Sequence, residues 1–255
     1  MEAFDCAERL QQLVFVMSDL DLGMNMWMSH PFVYPEKPFD RGKVLDAAGV
    51  RALGAEWGRY ADIDGDGIPY RTLPGTDAPS YFTRGSGHNA RGQYSERPDD
   101  YQGNMDRLTR KQNTAKTLLP QPVVEDADTD IGIVAYGTTH WAVDESRAQL
   151  ESEAGIRTAY LRIRAYPFSD AIEAFIRRYR RVYVVEQNRD AQMRTLLKND
   201  LSSEATSRIR SVLHYNGLPI DARSVTQEIL MQEGRSARQE TVAAGVAGMT
   251  LARED

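Results

Sequence analysis

Residues 130–143 read DIGIVAYGTTHWAV, and the fold follows from how that stretch divides. Ile131 to Tyr136 is short, continuous and rich in branched and aromatic side chains, the pattern of a strand buried on both faces. Gly137-Thr138-Thr139 supplies a tight turn, and 140–153 continues with amphipathic helical spacing. A strand feeding straight into a helix is half of an α/β crossover. Two more such units follow. Arg157 to Ile163 is a second strand, and Ser169 is placed to cap a helix running to about 178. Arg181 to Glu186 is a third strand, with Asp190 placed to cap a helix to about 198. Ser203 and Asp221 open two further short helices. Strand–helix repeated three times predicts a mostly parallel sheet, covered on both faces and joined by right-handed crossovers. The expectation for 123–233 is therefore an α/β domain of three layers, α/β/α. The tail, 234–255, is Ala, Gly, Thr and charge, and is expected to be flexible.

Upstream the pattern is weaker. Most of the prolines and more than half of the glycines fall in 30–122, without sustained periodicity of either kind. This stretch reads as an extended connector with one short helix near 102–117, since independent domains rarely contain so long a structureless segment. Residues 2–12 have helical spacing and put Cys6 on the apolar side, as an inert core residue. Leu13 to Met17 (LVFVM) reads as a buried strand closed by SDLDLG at 18–23. A helix followed by a strand with no partner strands predicts that 1–29 is the end of an α/β domain cut on its N-terminal side.

Composition excludes several classes. The 255 residues carry 31 Lys and Arg against 37 Asp and Glu, a net charge of -6, which argues against a general nucleic-acid binder. Cys6 is the only cysteine, so neither an intramolecular disulfide nor an iron–sulfur cluster can be built from this chain. No apolar run approaches the length of a membrane span. A reduced, cytoplasmic setting is expected.

Candidate sites are few. Asp62-Ile-Asp64-Gly-Asp66-Gly67 imitates half of a calcium loop, but the position that needs a bidentate glutamate is Leu73, so a solvated acidic turn is favoured. His30, His88, His140 and His214 are scattered and offer no metal-ligand spacing. The stretch from Arg84 to Lys116 is basic within an acidic chain. In it Arg84, His88 and Arg91 lie on a glycine-rich loop where cations can attract carboxylates or phosphates. The plain alternative is a solvated loop. Gly137, Thr138 and Thr139 follow a strand and open a helix, so their amides can hold an anion, although such turns also simply start crossovers. Glu186 and Asn188 sit at a strand's carboxyl end, where ligands of open α/β sheets collect. Met24, Met26, Trp27 and Met28 suggest packing at a domain seam.

An ordered set of segments resembles the alpha subunits of 2-oxoacid:ferredoxin oxidoreductases. It comprises LVFVMSDLDLGMNMWM (13–28), DGDGIPYRTLPGT (64–76), GSGHNARGQYSE (85–96), the helix around Arg107 to Lys116, DIGIVAYGTTHWAV (130–143), LRIRAYPF (161–168), VYVVEQN (182–188) and HYNGLP (214–219). The resemblance covers about residues 2–233. It implies that 1–29 ends a truncated pyrimidine-binding domain, 30–122 is its connector, and 123–233 is a domain like the transketolase C-terminal domain. The reaction implied for the full complex is oxidative decarboxylation of a 2-oxoacid, with 2-oxoglutarate a candidate, coupled to coenzyme A acylation and ferredoxin reduction. Thiamine diphosphate, Mg and iron–sulfur clusters would belong to the beta subunit and the missing N-terminal domains. This chain alone is expected to bind no cofactor or metal and to contribute no catalytic residue. Arg84, His88 and Arg91 would face substrate or coenzyme A. Its partners would be the beta subunit, the missing domains and ferredoxin, with neither nucleic acid nor membrane. The alternatives are a non-catalytic α/β oligomerisation domain and a subunit of a transketolase-like thiamine enzyme.

Overall fold

The computed structural model describes residues 2–77, 81 and 83–235. The expectation of a flexible tail concerns 234–255, of which 236–255 lie outside the described residues. The elements run α1 (Glu2–Leu10), α2 (Leu20–Met24), α3 (Ala47–Leu53), α4 (Pro98–Leu118), β1 (Val123–Glu125), β2 (Ile131–Tyr136) and α5 (Thr139–Ala154). They continue with β3 (Ala159–Ile163), α6 (Asp170–Arg178), β4 (Arg181–Glu186), α7 (Gln192–Asp200), α8 (Ser203–Thr206), β5 (Ile209–Leu213) and α9 (Ala222–Gln232).

The mixed α/β class read from the sequence holds. Five strands form one sheet in the order β1-β3-β2-β4-β5, parallel except for β1, which runs antiparallel to β3. The centre of the sheet is covered on both sides, as its continuous apolar runs require. On one face Val134, Leu161, Val182 and Val184 pack against Ile172, Phe175 and Ile176 of α6 and Leu197 of α7. On the other, Ile131, Ile133, Ala135 and Val185 pack against Val143 and Leu150 of α5 and Val225 and Ile229 of α9. Each such Val, Leu, Ile or Phe side chain withdrawn from water contributes about 1.5–3 kcal/mol. Gly132 is small for a packing reason: a Cβ there would stand 2.9 Å from the Phe175 ring. Helix α5 stops at Gly155, whose left-handed backbone (φ 65°) lets the Gly155 and Ile156 amides close onto Glu151 and Leu150.

Several local expectations need correction. LVFVM at 13–17 forms no strand; Phe15 is 80% and Met17 86% exposed. A buried strand needs neighbouring strands for its backbone groups, and none pairs with this segment among the described residues. The helix placed near 102–117 is 21 residues long. Its inward stripe, Arg107, Lys111 and Ala115, carries charge where an apolar pattern was sought. Strands β1 and β5 were not anticipated. β1 is an exposed edge of three residues, and β5 (IRSVL) buries only Ile209 and Val212. Ser169 does precede α6, but its hydroxyl makes no capping bond. Asp190 does not cap α7, since its carboxylate pairs with Arg189 at 2.8 Å. Cys6 is buried as expected, and burial pushes its thiol pKa up.

Ahead of the sheet, α1 and α4 meet through Leu10, Ile68 and Ala115, with Leu118 and Leu119 alongside. Gly67 allows the chain to lie against α4: a Cβ there would stand 2.2 Å from the Lys111 backbone nitrogen. Residues 11–40 add little to either core. Limited proteolysis is expected to cut first within 11–40 and to leave a resistant fragment containing 123–233. Early cleavage between Ile131 and Glu186 would show that the sheet is not the stable unit.

Candidate functional site

The turn after β2 is bonded through Thr138 to a carboxylate of the chain itself, that of Asp19. One Asp19 carboxylate oxygen accepts from the Thr138 hydroxyl (2.7 Å) and the Thr138 amide (3.3 Å). The other accepts from the Leu22 amide at 2.9 Å and so caps α2. These hydrogen bonds, led by that from Leu22, hold the Asp19 carboxyl below its ordinary range. Gly137 has φ 59°, a conformation that suits glycine. Thr139 is buried, and its hydroxyl accepts from Gln187 Nε2 at 3.2 Å. Asp19, Leu20, Met24, Tyr136, Gln187 and Leu218 line a cleft of about 570 Å³ at this carboxyl edge of the sheet. Beside it the rings of Trp27 and Trp141 meet edge to face, with centroids 5.2 Å apart.

Glu186 closes the same edge. Its carboxylate is wholly buried and accepts from the amides of Met193 (2.7 Å) and Arg194 (3.1 Å) and from Asn188 Nδ2 (2.9 Å). Glu186 therefore does for α7 what was expected of Asp190. It is a structural acid bound by three donors.

The second region centres on Tyr60. Residues 87–95 form a small hairpin, with a bridge between His88 and Tyr94 and the Asn89 side chain bonded to the amides of Arg91 and Gln93. Arg84 turns inward, its Nε donating to the Gly92 carbonyl at 3.1 Å and its amide to the Tyr60 hydroxyl at 3.0 Å. His88 binds the Ser86 carbonyl through Nδ1 and lies against the Tyr60 ring, centroids 4.0 Å apart. Arg91 is exposed, 3.4 Å from the Ala55 carbonyl. His88 and Arg91 thus lie on one hairpin, to which Arg84 is tied through Gly92, and no hydrogen bond joins any of the three to the Gly137–Thr139 turn among the described residues.

What the sequence reading missed is the buried charge behind the hairpin. Arg107 is 7% and Lys111 6% exposed. The guanidinium carbons of Arg59 and Arg107 lie 5.0 and 5.7 Å from the Tyr60 ring centre. Burial, then the charges of Arg107 and Arg59, push the Lys111 pKa down to about 8. None of the three cations forms an ion pair among the described residues. The nearby Asp62 carboxylate is taken by Arg110 and the Gly67 amide, both at 2.8 Å, and Asp64 and Asp66 by Lys43 at 2.6 and 2.7 Å. The carboxylates of the calcium-like acidic turn are thereby engaged from within the chain, and no group of three metal-ligating side chains occurs among the described residues. The signal for the cations was available: 107, 111 and 115 share one helix face, and Arg59 is followed by Tyr60.

No family model matches this chain, and no curated protein matches it. Its fold is found in a solved 2-oxoglutarate:ferredoxin oxidoreductase from Magnetococcus marinus, a structure with 2-oxoglutarate, coenzyme A and succinyl-CoA bound. The TM-score is 0.65 at 21% identity, over 76% of this chain and 33% of that one. This chain therefore spans about a third of that chain's length. A split-gene transketolase, described as an inactive beta4 tetramer, is similar over 49% of this chain and 54% of its own, at 14% identity and a TM-score of 0.35. That likeness is too loose to argue from. No helix among the described residues is long and apolar enough to cross a membrane.

Proposed function

We propose that this chain is part of an alpha subunit of a 2-oxoacid:ferredoxin oxidoreductase, acting on a 2-oxoacid such as 2-oxoglutarate with coenzyme A and ferredoxin. The observation that carries the reading is the fold likeness over 76% of the chain, which accompanies the ordered set of motifs from 13 to 219. The exposed apolar side chains of 11–40, among them Phe15, Met17, Met28 and Phe32, fit the same reading. Many large apolar side chains left in water along one segment fit a contact with another protein surface. Here the partners would be the rest of the alpha subunit and the beta subunit.

On this reading the chain supplies interfaces and an anion-facing hairpin, while the redox chemistry lies elsewhere. One buried thiol, Cys6, does not fit an iron–sulfur cluster. Thiamine diphosphate and Mg would be held by the beta subunit and the preceding domains. Arg84, His88 and Arg91 would stand at the entrance for substrate or coenzyme A.

The test is made in the assembled enzyme. A guanidinium paired with a carboxylate or phosphate contributes about 1.5–3 kcal/mol. Arg91→Ala should therefore raise the Michaelis constant for the 2-oxoacid or for coenzyme A roughly tenfold to a hundredfold. Arg84→Ala should do the same with some loss of stability, because its side chain also holds the hairpin through the Gly92 carbonyl. Unchanged constants for both substrates in an intact complex would reduce the hairpin to a solvated loop.

A further inference from the structure

Three buried guanidinium nitrogens beside the Tyr60 ring have no hydrogen-bond partner among the described residues: Nε and Nη1 of Arg59 and Nε of Arg107. Arg107 uses Nη1 on the Gly67 carbonyl at 3.2 Å, and no hydrogen bond engages the Lys111 ammonium among the described residues. Such a group is costly to maintain. Buried cations are normally paired, and buried donors left unmade forfeit their bonds to water.

The aromatic contacts offset only part of this. A ring attracts a guanidinium lying over its face, while the N–H bonds point outward in the guanidinium plane and still require acceptors. The neighbouring carboxylates are committed to Arg110, Gly67 and Lys43, as described above. What would satisfy the group is a small acceptor with several oxygens and negative charge, able to take paired N–H bonds from a planar fork.

We propose that Arg59, Arg107 and Lys111 form a binding site beside Tyr60 for a compact oxyanion, the phosphate or carboxylate group of a small molecule. The site goes beyond the reading of the chain as an oxidoreductase piece and does not depend on it. It is testable on this chain alone, without a partner or a cofactor.

Isothermal titration at fixed ionic strength, with chloride as the background anion, is run separately with inorganic phosphate and with succinate. Saturable binding of at least one is expected, and the one preferred identifies the source as phosphate or carboxylate. Lys111→Met and Arg107→Gln should each weaken that binding at least tenfold. Lys111→Met removes a buried charge at similar volume, so it should fold at least as well as the parent. Its loss of binding therefore cannot be ascribed to unfolding, even if Arg107→Gln proves unstable. No saturable binding of either anion, or equal affinity in Lys111→Met, would overturn the proposal and leave the cluster a cation–aromatic packing knot.

Discussion

Replacing Lys111 with methionine is expected to stabilise the protein by about 1–3 kcal/mol at pH 7 in an anion-poor buffer. The side chain is 6% exposed and has no ion-pair partner among the described residues, so folding must strip water from a charge and set it near Arg107 and Arg59. The ammonium pKa falls from its ordinary 10.5 to about 8 in consequence. Every tenfold loss of proton affinity on folding corresponds to about 1.4 kcal/mol of preference for the neutral form. Because the folded value lies below the unfolded one, the unfolded chain binds more protons between the two. The penalty is therefore complete below about pH 8 and fades as pH rises towards 10.5. The stabilisation conferred by Lys111→Met should shrink across the same window. Urea denaturation of both proteins at pH 7 and pH 10 measures this. A variant less stable than the parent at pH 7 would mean that the ammonium has a favourable partner after all.

The opposite outcome is expected at Glu186. Glu186→Ala should destabilise the protein by about 3–4 kcal/mol, because three donors lose their acceptor in a buried place. Two of them are amides in the first turn of α7, where the helix dipole also favours negative charge. Glu186→Gln keeps an accepting oxygen but sets an NH2 group against donors, so a loss of about 1–2 kcal/mol is expected. Denaturation midpoints give the totals, and hydrogen exchange at Met193 and Arg194 shows whether the loss begins at α7. A change in Glu186→Ala below about 0.5 kcal/mol, the range of ordinary surface substitutions, would show that other acceptors replace the carboxylate.

These two residues also show where a linear reading stops. β2, β3 and β4 were legible because continuous apolar runs are rare outside buried parallel strands. β5 was not, since IRSVL turns only Ile209 and Val212 inward and matches neither period. Helix α4 was read short because its buried stripe is made of Arg107, Lys111 and Ala115. LVFVM at 13–17 shows the converse: a strand-like composition forms no strand when no neighbour is present to pair with it. In the candidate site, Gly137-Thr138-Thr139 was legible locally as a strand-to-helix turn. The carboxylate bonded to it, that of Asp19, lies 119 residues away from Thr138 and could not be found by spacing. The cap of α7 failed in the same way, since local rules pointed to Asp190 and the acceptor comes from the end of the preceding strand.

The edge-to-face contact of Trp27 and Trp141 gives this protein an optical handle. Two indoles 5.2 Å apart couple their electronic transitions, which splits the circular-dichroism bands of the pair; the third tryptophan, Trp57, packs against Tyr81 instead. Trp27 rides on the same exposed segment as Asp19, whereas Trp141 is fixed in α5. Departure of that segment from the sheet edge would therefore extinguish the split signal while Trp57 continued to report on the rest of the molecule. Docking of 11–40 onto a new surface can thus be followed in solution by light alone, without a label.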